Sequence, residues 1–286
     1  MSESAGNNSP ANPAPSYKKE KMKPKFMIIT AVLVVVALVA GMLIGGFVLN
    51  QEEDVKGGVL EKIISSGELV VGTNTPWPPF EDYDAETDTY IGVDMDIVKR
   101  IAAELDVTLV IKQMDFDALI GAVQAGQIDI AISSFTITAA RMESVDFSTP
   151  YYIANQAVLV QDDSTVNSTD DLNGLNVGAQ LGTTGNYWIE DELDSTTTVS
   201  TYPDIASAVI AVDTGIADAV VLDHPVAEKY ANSTAYDLKV AFYIPTDEHY
   251  GIVIPKDNAG LKNVIDAIIL EMLNDGSMDD IIDLWT

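Results

Sequence analysis

The sequence predicts an α/β fold of two similar lobes, preceded by one transmembrane helix. Three observations support this. Residues 27–49 form an uncharged apolar run close to the N-terminus. From about Val59 onward, short β-rich runs alternate with amphipathic helical runs, which is typical of largely parallel sheets. A helix–glycine–strand unit that begins at Ala122 recurs at Ala211.

The composition excludes several classes of protein. The chain has 286 residues, of which 47% are hydrophobic, so it contains enough apolar material for a packed core. Its formal net charge of −29 argues against nucleic-acid binding, because phosphates require clustered Lys and Arg. The sequence contains no Cys, which removes disulfides, zinc–thiolate sites and a lipid-attachment cysteine. We therefore expect no metal and no cofactor.

The apolar run has the length of a membrane span. At about 1.5 Å per residue, residues 27–49 cover roughly the 30 Å of a hydrocarbon core. Five lysines precede the run, and Glu52, Glu53 and Asp54 follow it, so the positive-inside bias places the N-terminus in the cytoplasm. We favour a retained single-pass anchor in the cell membrane over a cleaved signal peptide. Signal peptides usually have a shorter apolar core, of about 7–15 residues.

The anchor divides the N-terminal part of the chain into three segments. Residues 1–26 are predicted to be a disordered cytoplasmic tail, 27–49 the membrane anchor and 50–57 a linker. The remaining chain is then an extracytoplasmic domain.

The hydrophobic pattern predicts the order of strands and helices in the outer domain. The predicted strands are 68–73, 109–111, 128–132, 177–179, 217–222 and 251–254. The predicted helices are 93–105, 116–124, 204–212, 261–274 and 277–284. Gly126 and Gly215 suit the left-handed position that ends a helix. Such units recur in any α/β protein, so the repeat alone leaves a one-lobe fold open.

The ends of the repeated strands carry polar residues. Ser133 and Ser134 follow the first of these strands, and Asp223 follows the second. Open α/β sheets bind ligands at the carboxyl ends of their strands, so these residues mark a candidate site.

Arg141 is the best candidate for an anion-binding residue. The chain has only one other arginine, Arg100, which we expect to be solvated. Thr138 is a plausible N-cap that places Arg141 in the first turn of a short helix, where a cation does not complement the helix dipole. A guanidinium beside free N–H groups and hydroxyls suits a carboxylate. The alternative is an ion pair with Asp146 or Glu143.

Other residues could complete a site for a zwitterion. Asp223 could accept an ammonium group across a cleft from Arg141. Thr184 belongs to a Gly-Thr-Thr-Gly turn that opens a helix and could add contacts to an anion. A proline-rich loop presents Trp77, which with Phe116 could sandwich a ligand side chain.

Several sequence runs resemble a known family. These are 72–80, 91–96, 114–120, and 128–141 followed by 145–152. They resemble polar amino-acid-binding proteins of ABC importers, the extracellular solute-binding proteins of family 3, over about residues 57–286. The resemblance implies a type II periplasmic-binding-protein-like fold with two crossover hinge strands. Lobe 1 would comprise 58–152 and 250–286, and lobe 2 would comprise 153–249.

The resemblance also implies roles for individual residues. Arg141 would grip the α-carboxylate of a free L-amino acid, and Asp223 would accept its α-ammonium. The residues expected to assist Arg141 are Ser134, Thr136 and Thr184, and those expected to stack on the ligand are Trp77 and Phe116. A monomer would deliver the ligand to a permease and, through it, to an ATPase.

Three positions differ from relatives of known preference and leave the ligand open. Asn74 stands where relatives specific for basic ligands carry an acidic residue. Gln180 and Leu222 stand where a glutamine-binding relative has a lysine and a histidine. Because Asn74, Trp77, Phe116, Gln180 and Leu222 are not ionisable, we predict an uncharged, glutamine-like ligand side chain. Arginine or lysine is the alternative, because Asp94 could reach a long cationic side chain.

The sequence offers little support for catalysis. His224 and His249 are the only histidines, and neither is accompanied by a nucleophile elbow, a phosphate loop or a metalloprotease motif. We therefore expect no catalytic residue. A cyclohexadienyl-dehydratase-like enzyme on the same fold and a ligand-sensing domain of a membrane receptor remain as alternatives.

Overall fold

The computed structural model describes residues 58–286. The predicted tail, anchor and linker therefore lie outside the described residues. Between residues 58 and 286, no helix is both long enough and apolar enough to cross a membrane.

The first lobe is built around a five-stranded sheet. Its elements before the crossover are α1 (Val59–Ser66), β1 (Glu68–Thr73), β2 (Asp82–Asp84), β3 (Thr89–Ile91), α2 (Val93–Glu104), β4 (Thr108–Gln113), α3 (Phe116–Gln124), β5 (Ile130–Ala131), α4 (Ala139–Ser144) and β6 (Asp146–Phe147). After the second crossover it is completed by β12 (Val253–Ile254), α8 (Ala259–Asp275) and α9 (Ser277–Trp285). The strand order is β4-β1-β5-β12-β6, and β2 and β3 form a separate hairpin.

The second lobe has its own five-stranded sheet. Its elements are β7 (Tyr152–Gln161), a 3₁₀ turn (Thr169–Leu172), β8 (Asn176–Gln180), α5 (Thr184–Glu192), β9 (Thr198–Tyr202), α6 (Ile205–Asp213), β10 (Ala219–Asp223), α7 (His224–Ala231) and β11 (Leu238–Tyr250). The strand order is β11-β7-β10-β8-β9. The two-lobed α/β architecture predicted from the sequence is confirmed.

The sheets are mixed rather than largely parallel. In the first lobe β1 pairs in parallel with β4 and β5, whereas β12 is antiparallel to β5 and β6. In the second lobe β8, β9 and β10 are parallel, whereas β7 runs antiparallel to β10 and β11. The antiparallel strands β7 and β12 each follow a crossover. Each therefore enters its sheet from the end opposite to the one at which the parallel strands begin.

The two crossovers lie side by side. Tyr151 follows the first lobe and donates its N–H to the carbonyl of Tyr250, at 3.0 Å, where the chain returns. Strands β7 and β11 pair over most of their length, from Tyr250 opposite Tyr152 to Leu238 opposite Gln161. The long β11 therefore runs from the far edge of the second lobe back to the first.

The internal repeat has the same structure in both lobes. Gly126 (φ 67°) and Gly215 (φ 71°) both have the predicted left-handed backbone. Three residues later, Asp129 accepts the N–H of Val70 at 2.9 Å, and Asp218 accepts the N–H of Asn176 at 2.8 Å. Each aspartate thus ties the start of its own strand to the neighbouring parallel strand.

The predicted elements agree with the structure apart from their ends. The strand that is shortened most is the one predicted at 128–132, which is regular only over Ile130–Ala131. Asp129 and Ile132 still donate their N–H groups to β1, at 2.8 and 3.0 Å. The apolar run is therefore buried as predicted, although its regular pairing is short.

Candidate functional site

A cleft lies between the two lobes. The residues that line it are Asn74, Trp77, Phe116, Ser133, Ser134, Thr136, Arg141, Gln180, Thr183, Thr184 and Asp223. All nine site residues predicted from the sequence are in this set, and Ser133 and Thr183 are added. Seven of the eleven come from the first lobe and four from the second.

Strand ends supply most of the lining. Asn74 directly follows β1, Ser133 and Ser134 follow β5, Gln180 ends β8 and Asp223 ends β10. Parallel strands bring their carboxyl ends to one edge of a sheet, so each lobe presents polar residues along one edge. The cleft forms where these two edges face each other.

Arg141 occupies the position that the capping pattern predicts. Its N–H donates to Thr138 Oγ1 at 3.2 Å, as expected for an N-cap. Its guanidinium donates to the carbonyl of Thr136 at 2.8 Å and to the carbonyl of Gly182, in the other lobe, at 3.0 Å. The rings of Phe116 and Phe135 lie against it, with their centroids 5.5 and 5.2 Å from its central carbon.

Arg141 forms no ion pair with either of the two carboxylates considered as its partners within residues 58–286. Asp146, one of the two partners considered for it, pairs with Lys256 at 3.0 Å instead. Within residues 58–286, neither Asp146 nor Glu143 forms an ion pair with Arg141. Burial lowers the pKa of Arg141, but a guanidinium stays protonated in proteins. The cleft therefore holds a desolvated positive charge that an anion would stabilise.

Asp223 supplies a negative charge on the opposite lobe. Its side chain is buried and accepts hydrogen bonds from the Tyr250 hydroxyl and the Gln156 amide. Burial raises the pKa of Asp223 to about 7, and the nearby carboxylate of Glu248 acts in the same direction. A cation placed beside Asp223 would reverse this shift.

Two side-chain amides, those of Gln180 and Asn74, form a hydrogen bond across another part of the cleft. Gln180 Nε2 donates to Asn74 Oδ1 across the lobes at 2.7 Å, and Asn74 Nδ2 donates to the Met114 carbonyl at 2.7 Å. Trp77 is 6% exposed, and its indole N–H has no hydrogen-bond partner within residues 58–286. Leu222, which we expected near the ligand side chain, does not line the cleft. It is packed into the apolar core because its side chain points to the other face of β10.

Two buried carboxyl groups accept hydrogen bonds from Ser133 and Ser134. Glu81 accepts hydrogen bonds from the hydroxyls of Ser133 and Ser134, and Asp94 accepts the N–H of Ser134 at 2.8 Å. Ser134 needs this support because it has a left-handed backbone (φ 48°), which is unusual for a residue other than Gly. Tyr151 also donates to Asp94, at 2.8 Å. The alternative role of Asp94 as a ligand contact therefore loses support, because Asp94 is not part of the cleft lining.

Glu81 and Asp94 both have raised pKa values. Burial raises the pKa of both, and the proximity of Asp94 raises that of Glu81 further. Within residues 58–286, neither has a basic partner. Burial and the neighbouring Asp94 therefore both favour the protonated form of Glu81.

Sequence reasoning missed one more carboxylate, which contacts residues of the cleft. Glu248 lies near the end of β11 and is 7% exposed. Its Oε2 accepts hydrogen bonds from the hydroxyls of Thr136 at 2.6 Å and Thr184 at 2.7 Å, and its Oε1 accepts one from Gln156 at 3.0 Å. No local motif surrounds Glu248, and only the return of β11 to the first lobe places it here.

Comparison with known proteins places this site in a family. The model of the bacterial extracellular solute-binding proteins, family 3, matches residues 69–286. The L-cystine-binding protein TcyJ of Escherichia coli (strain K12) is 29% identical over 252 residues, which cover 87% of this chain and 91% of that protein. An ancestral arginine-binding protein has been solved with arginine and with glutamine bound.

Those two structures match this chain with a TM-score of 0.73 each. They are 38% and 37% identical to it, and the match covers 77% of this chain and 98% and 97% of theirs. The resemblance inferred from the sequence is confirmed over the whole two-lobed domain. The chain belongs to the bacterial extracellular solute-binding proteins of family 3.

Proposed function

We propose that the protein captures a free L-amino acid outside the cytoplasm and delivers it to the permease of an ABC importer. One observation carries this proposal. Arg141 and Asp223 place opposite charges in one cleft, on opposite lobes, with Asp223 buried and Arg141 partly buried. An α-amino acid presents a carboxylate and an ammonium two bonds apart, so it can satisfy both lobes only when they close around it.

Contacts across the cleft support closure as the binding event. Arg141 reaches the Gly182 carbonyl and Gln180 reaches Asn74, so each lobe donates to the other. Open lobes would leave both polar groups to water, and a bound amino acid would add contacts to both sides. A permease can recognise ligand occupancy from such a change of shape.

We further propose an uncharged polar side chain on the ligand, with glutamine as the first candidate. In the cleft lining, Arg141 and Asp223 are the only ionisable side chains, and the main-chain groups of the ligand use both. A charged ligand side chain would then be buried beside Asn74 and Gln180 without a counter-charge, which is costly. Within residues 58–286 the indole N–H of Trp77 is a donor without a partner, and an amide carbonyl that reached it could accept from it, whereas a cationic side chain could not.

The proposal is for binding rather than catalysis. Neither histidine lines the cleft: His224 is engaged with the backbone of Asn155, and His249 is 44% exposed. TcyJ and the ancestral protein are both named as binding proteins. The ancestral protein, solved with both arginine and glutamine, illustrates that one such fold can hold either ligand.

Competition calorimetry of the full-length protein in detergent tests the ligand class. All twenty amino acids would be compared, and we expect glutamine to bind most tightly. Arginine, lysine or glutamate binding at least tenfold more tightly than glutamine would overturn the ligand assignment. If no amino acid binds and a prephenate-like acid is turned over, the protein is an enzyme.

We propose that residues 27–49 anchor the protein in the cell membrane, with the two lobes on the extracytoplasmic side. The support is the uncharged span and the lysines that precede it. The intact protein should then fractionate with membranes, and protein that starts near Asp54 should be soluble. A mature N-terminus just after residue 41 or 46, found by mass spectrometry, would show that the span is cleaved.

A further inference from the structure

Glu248 reaches the cleft because β11 is irregular just before it. The pairing of β11 with β7 shifts register between Ile244 and Glu248, and Asp247 has a left-handed backbone (φ 51°). The Asn155 side chain secures this bulge by accepting the N–H groups of Thr246 and Asp247, at 3.0 and 3.1 Å. Bulges redirect a side chain that would otherwise follow the regular alternation of a strand. Here the redirected side chain is a buried carboxylate.

The carboxylate takes the hydroxyl hydrogens of two cleft residues from opposite lobes. Thr136 and Thr184 both donate to the same oxygen of Glu248, at 2.6 and 2.7 Å. A threonine hydroxyl has one hydrogen to donate and two lone pairs to accept with. With their hydrogens committed to Glu248, both threonines can offer only acceptor oxygens to a ligand. They are therefore unsuited to assist Arg141 through their hydroxyls with a ligand carboxylate.

Gln156 fixes this arrangement from the side of Asp223. Its amide nitrogen lies within hydrogen-bond distance of Asp223, of Glu248 at 3.0 Å and of Thr184 at 3.3 Å, and its two hydrogens can serve two of these acceptors at a time. The amide thus joins the two carboxylates and one threonine in a single network. In this network Asp223, Thr136 and Thr184 each present an acceptor oxygen, so the arrangement suits a ligand that has several N–H donors there.

We propose that Glu248 is a positioning residue that makes Thr136 and Thr184 acceptors for the ligand's α-ammonium. The proposal rests on the proposed amino-acid-binding function and deepens it. Glu248 does not itself need to touch the ligand. It sets the direction of two hydroxyls, and so makes the cleft selective for a charged amine over a ligand without one.

The variant Glu248→Gln tests the proposal because a glutamine amide has one acceptor oxygen, whereas the glutamate carboxylate accepts hydrogen bonds through both of its oxygens. If its nitrogen faces the threonines, it donates to them and turns their hydrogens toward the ligand. If its oxygen faces them, its nitrogen opposes the nitrogen of Gln156. The control is Asp247→Asn, the same chemical change at the adjacent side chain, which is 85% exposed.

The measurement compares ligands with and without the α-amino group. The probe pairs are L-glutamine with 4-carbamoylbutanoic acid and L-arginine with 5-guanidinopentanoic acid, measured by competition calorimetry on the full-length protein. We expect Glu248→Gln to weaken the amino acid by roughly tenfold or more, the effect of hydrogen bonds to a charged group. The analogue should change less than about twofold, and Asp247→Asn should change neither.

Equal losses for the amino acid and its analogue would overturn the proposal, since they would show a merely structural role for Glu248. An unchanged affinity for the amino acid would overturn it too. If Glu248→Gln fails to fold, Thr136→Val gives the same test: a loss confined to the amino acid supports the acceptor role, and an equal loss contradicts it. If the unmodified protein binds no amino acid, the proposed function itself fails.

Discussion

Asn74 in the first lobe accepts a hydrogen bond from the Gln180 amide in the second lobe at 2.7 Å. The two residues are 106 positions apart in the sequence, and each follows or ends the parallel strand of its lobe. Because the contact spans the cleft, it exists only when the lobes are close together. Because neither residue can ionise, we expect the pair to favour an uncharged ligand side chain.

Replacing Asn74 with Asp should change ligand preference. A carboxylate here would repel the amide oxygen of glutamine and attract a cationic side chain, while Gln180 could still donate to it. We expect Asn74→Asp to weaken L-glutamine at least tenfold and to strengthen L-arginine, as measured by competition calorimetry. Asn167→Asp is the matched control, because Asn167 is exposed on the second lobe. Unchanged relative affinities would place the ligand side chain elsewhere in the cleft.

Removing the guanidinium of Arg141 should abolish measurable binding without unfolding the protein. The ligand carboxylate would be buried without a counter-charge, which we expect to cost about 2–5 kcal/mol or more of binding free energy. Arg141→Lys should also fail, because an ammonium cannot reproduce two parallel donors. Titration calorimetry measures the loss, and circular dichroism checks the fold.

Arg100→Ala provides the control for Arg141→Ala. Arg100 pairs with Glu104 at 2.8 Å and Glu271 at 3.3 Å on the surface of the first lobe. Ligand affinity should therefore be unaffected by its loss. Near-normal affinity in Arg141→Ala would show that the carboxylate is bound by other groups.

Ligand affinity should depend on pH through Asp223. Burial raises the pKa of Asp223 to about 7 in the free protein, and a bound ammonium would lower it again. Below pH 7 the ligand must displace a proton, so the affinity should fall by up to about tenfold per pH unit. Calorimetry in two buffers of different ionisation enthalpy should detect this proton release near pH 6. Proton uptake on binding would contradict the assignment.

The stability of the free protein should depend on the same group. A folded-state pKa above the unfolded value means that ionisation opposes folding. The contribution of Asp223 is therefore most favourable below the unfolded pKa and declines as the pH rises through about 7. Asp223→Asn should accordingly stabilise the ligand-free protein more at pH 8 than at pH 5, in urea unfolding. A larger gain at pH 5 would reverse the assigned sign.

The repeated aspartates should contribute unequally to stability. Asp129 is buried and accepts from Val70 and from Lys62 at 2.8 Å, whereas Asp218 has the same backbone role at an exposed position. We expect Asp129→Asn to cost about 1–3 kcal/mol in the free energy of unfolding and Asp218→Asn less than about 1 kcal/mol. Urea denaturation at constant pH measures both. Equal losses would show that the burial of Asp129 does not increase its contribution to the free energy of unfolding.

The amino-acid sequence was sufficient to predict the two-lobed architecture and nine residues that the structure brings to one cleft. Local rules explain why. A left-handed glycine ends a helix, an aspartate three residues later ties two strands together, and polar residues follow the strand ends in both lobes. Thr138 caps the helix that contains Arg141 by accepting the N–H of Arg141, only three positions later in the sequence. Patterns of this range are visible without knowledge of the tertiary structure.

The carboxylates that contact those residues come from distant parts of the chain and are apparent only in the folded protein. Glu248 contacts Thr136 from 112 positions away, and Asp94 contacts Ser134 from 40 positions away. The chain is rich in Asp and Glu, so no pattern separates a buried carboxylate from a solvated one. Leu222 was misplaced for a related reason, because the face of a strand that meets the cleft depends on how two sheets pack. Burial sets the free-energy cost of placing a polar or charged group at a position, and burial is a property of the folded chain as a whole.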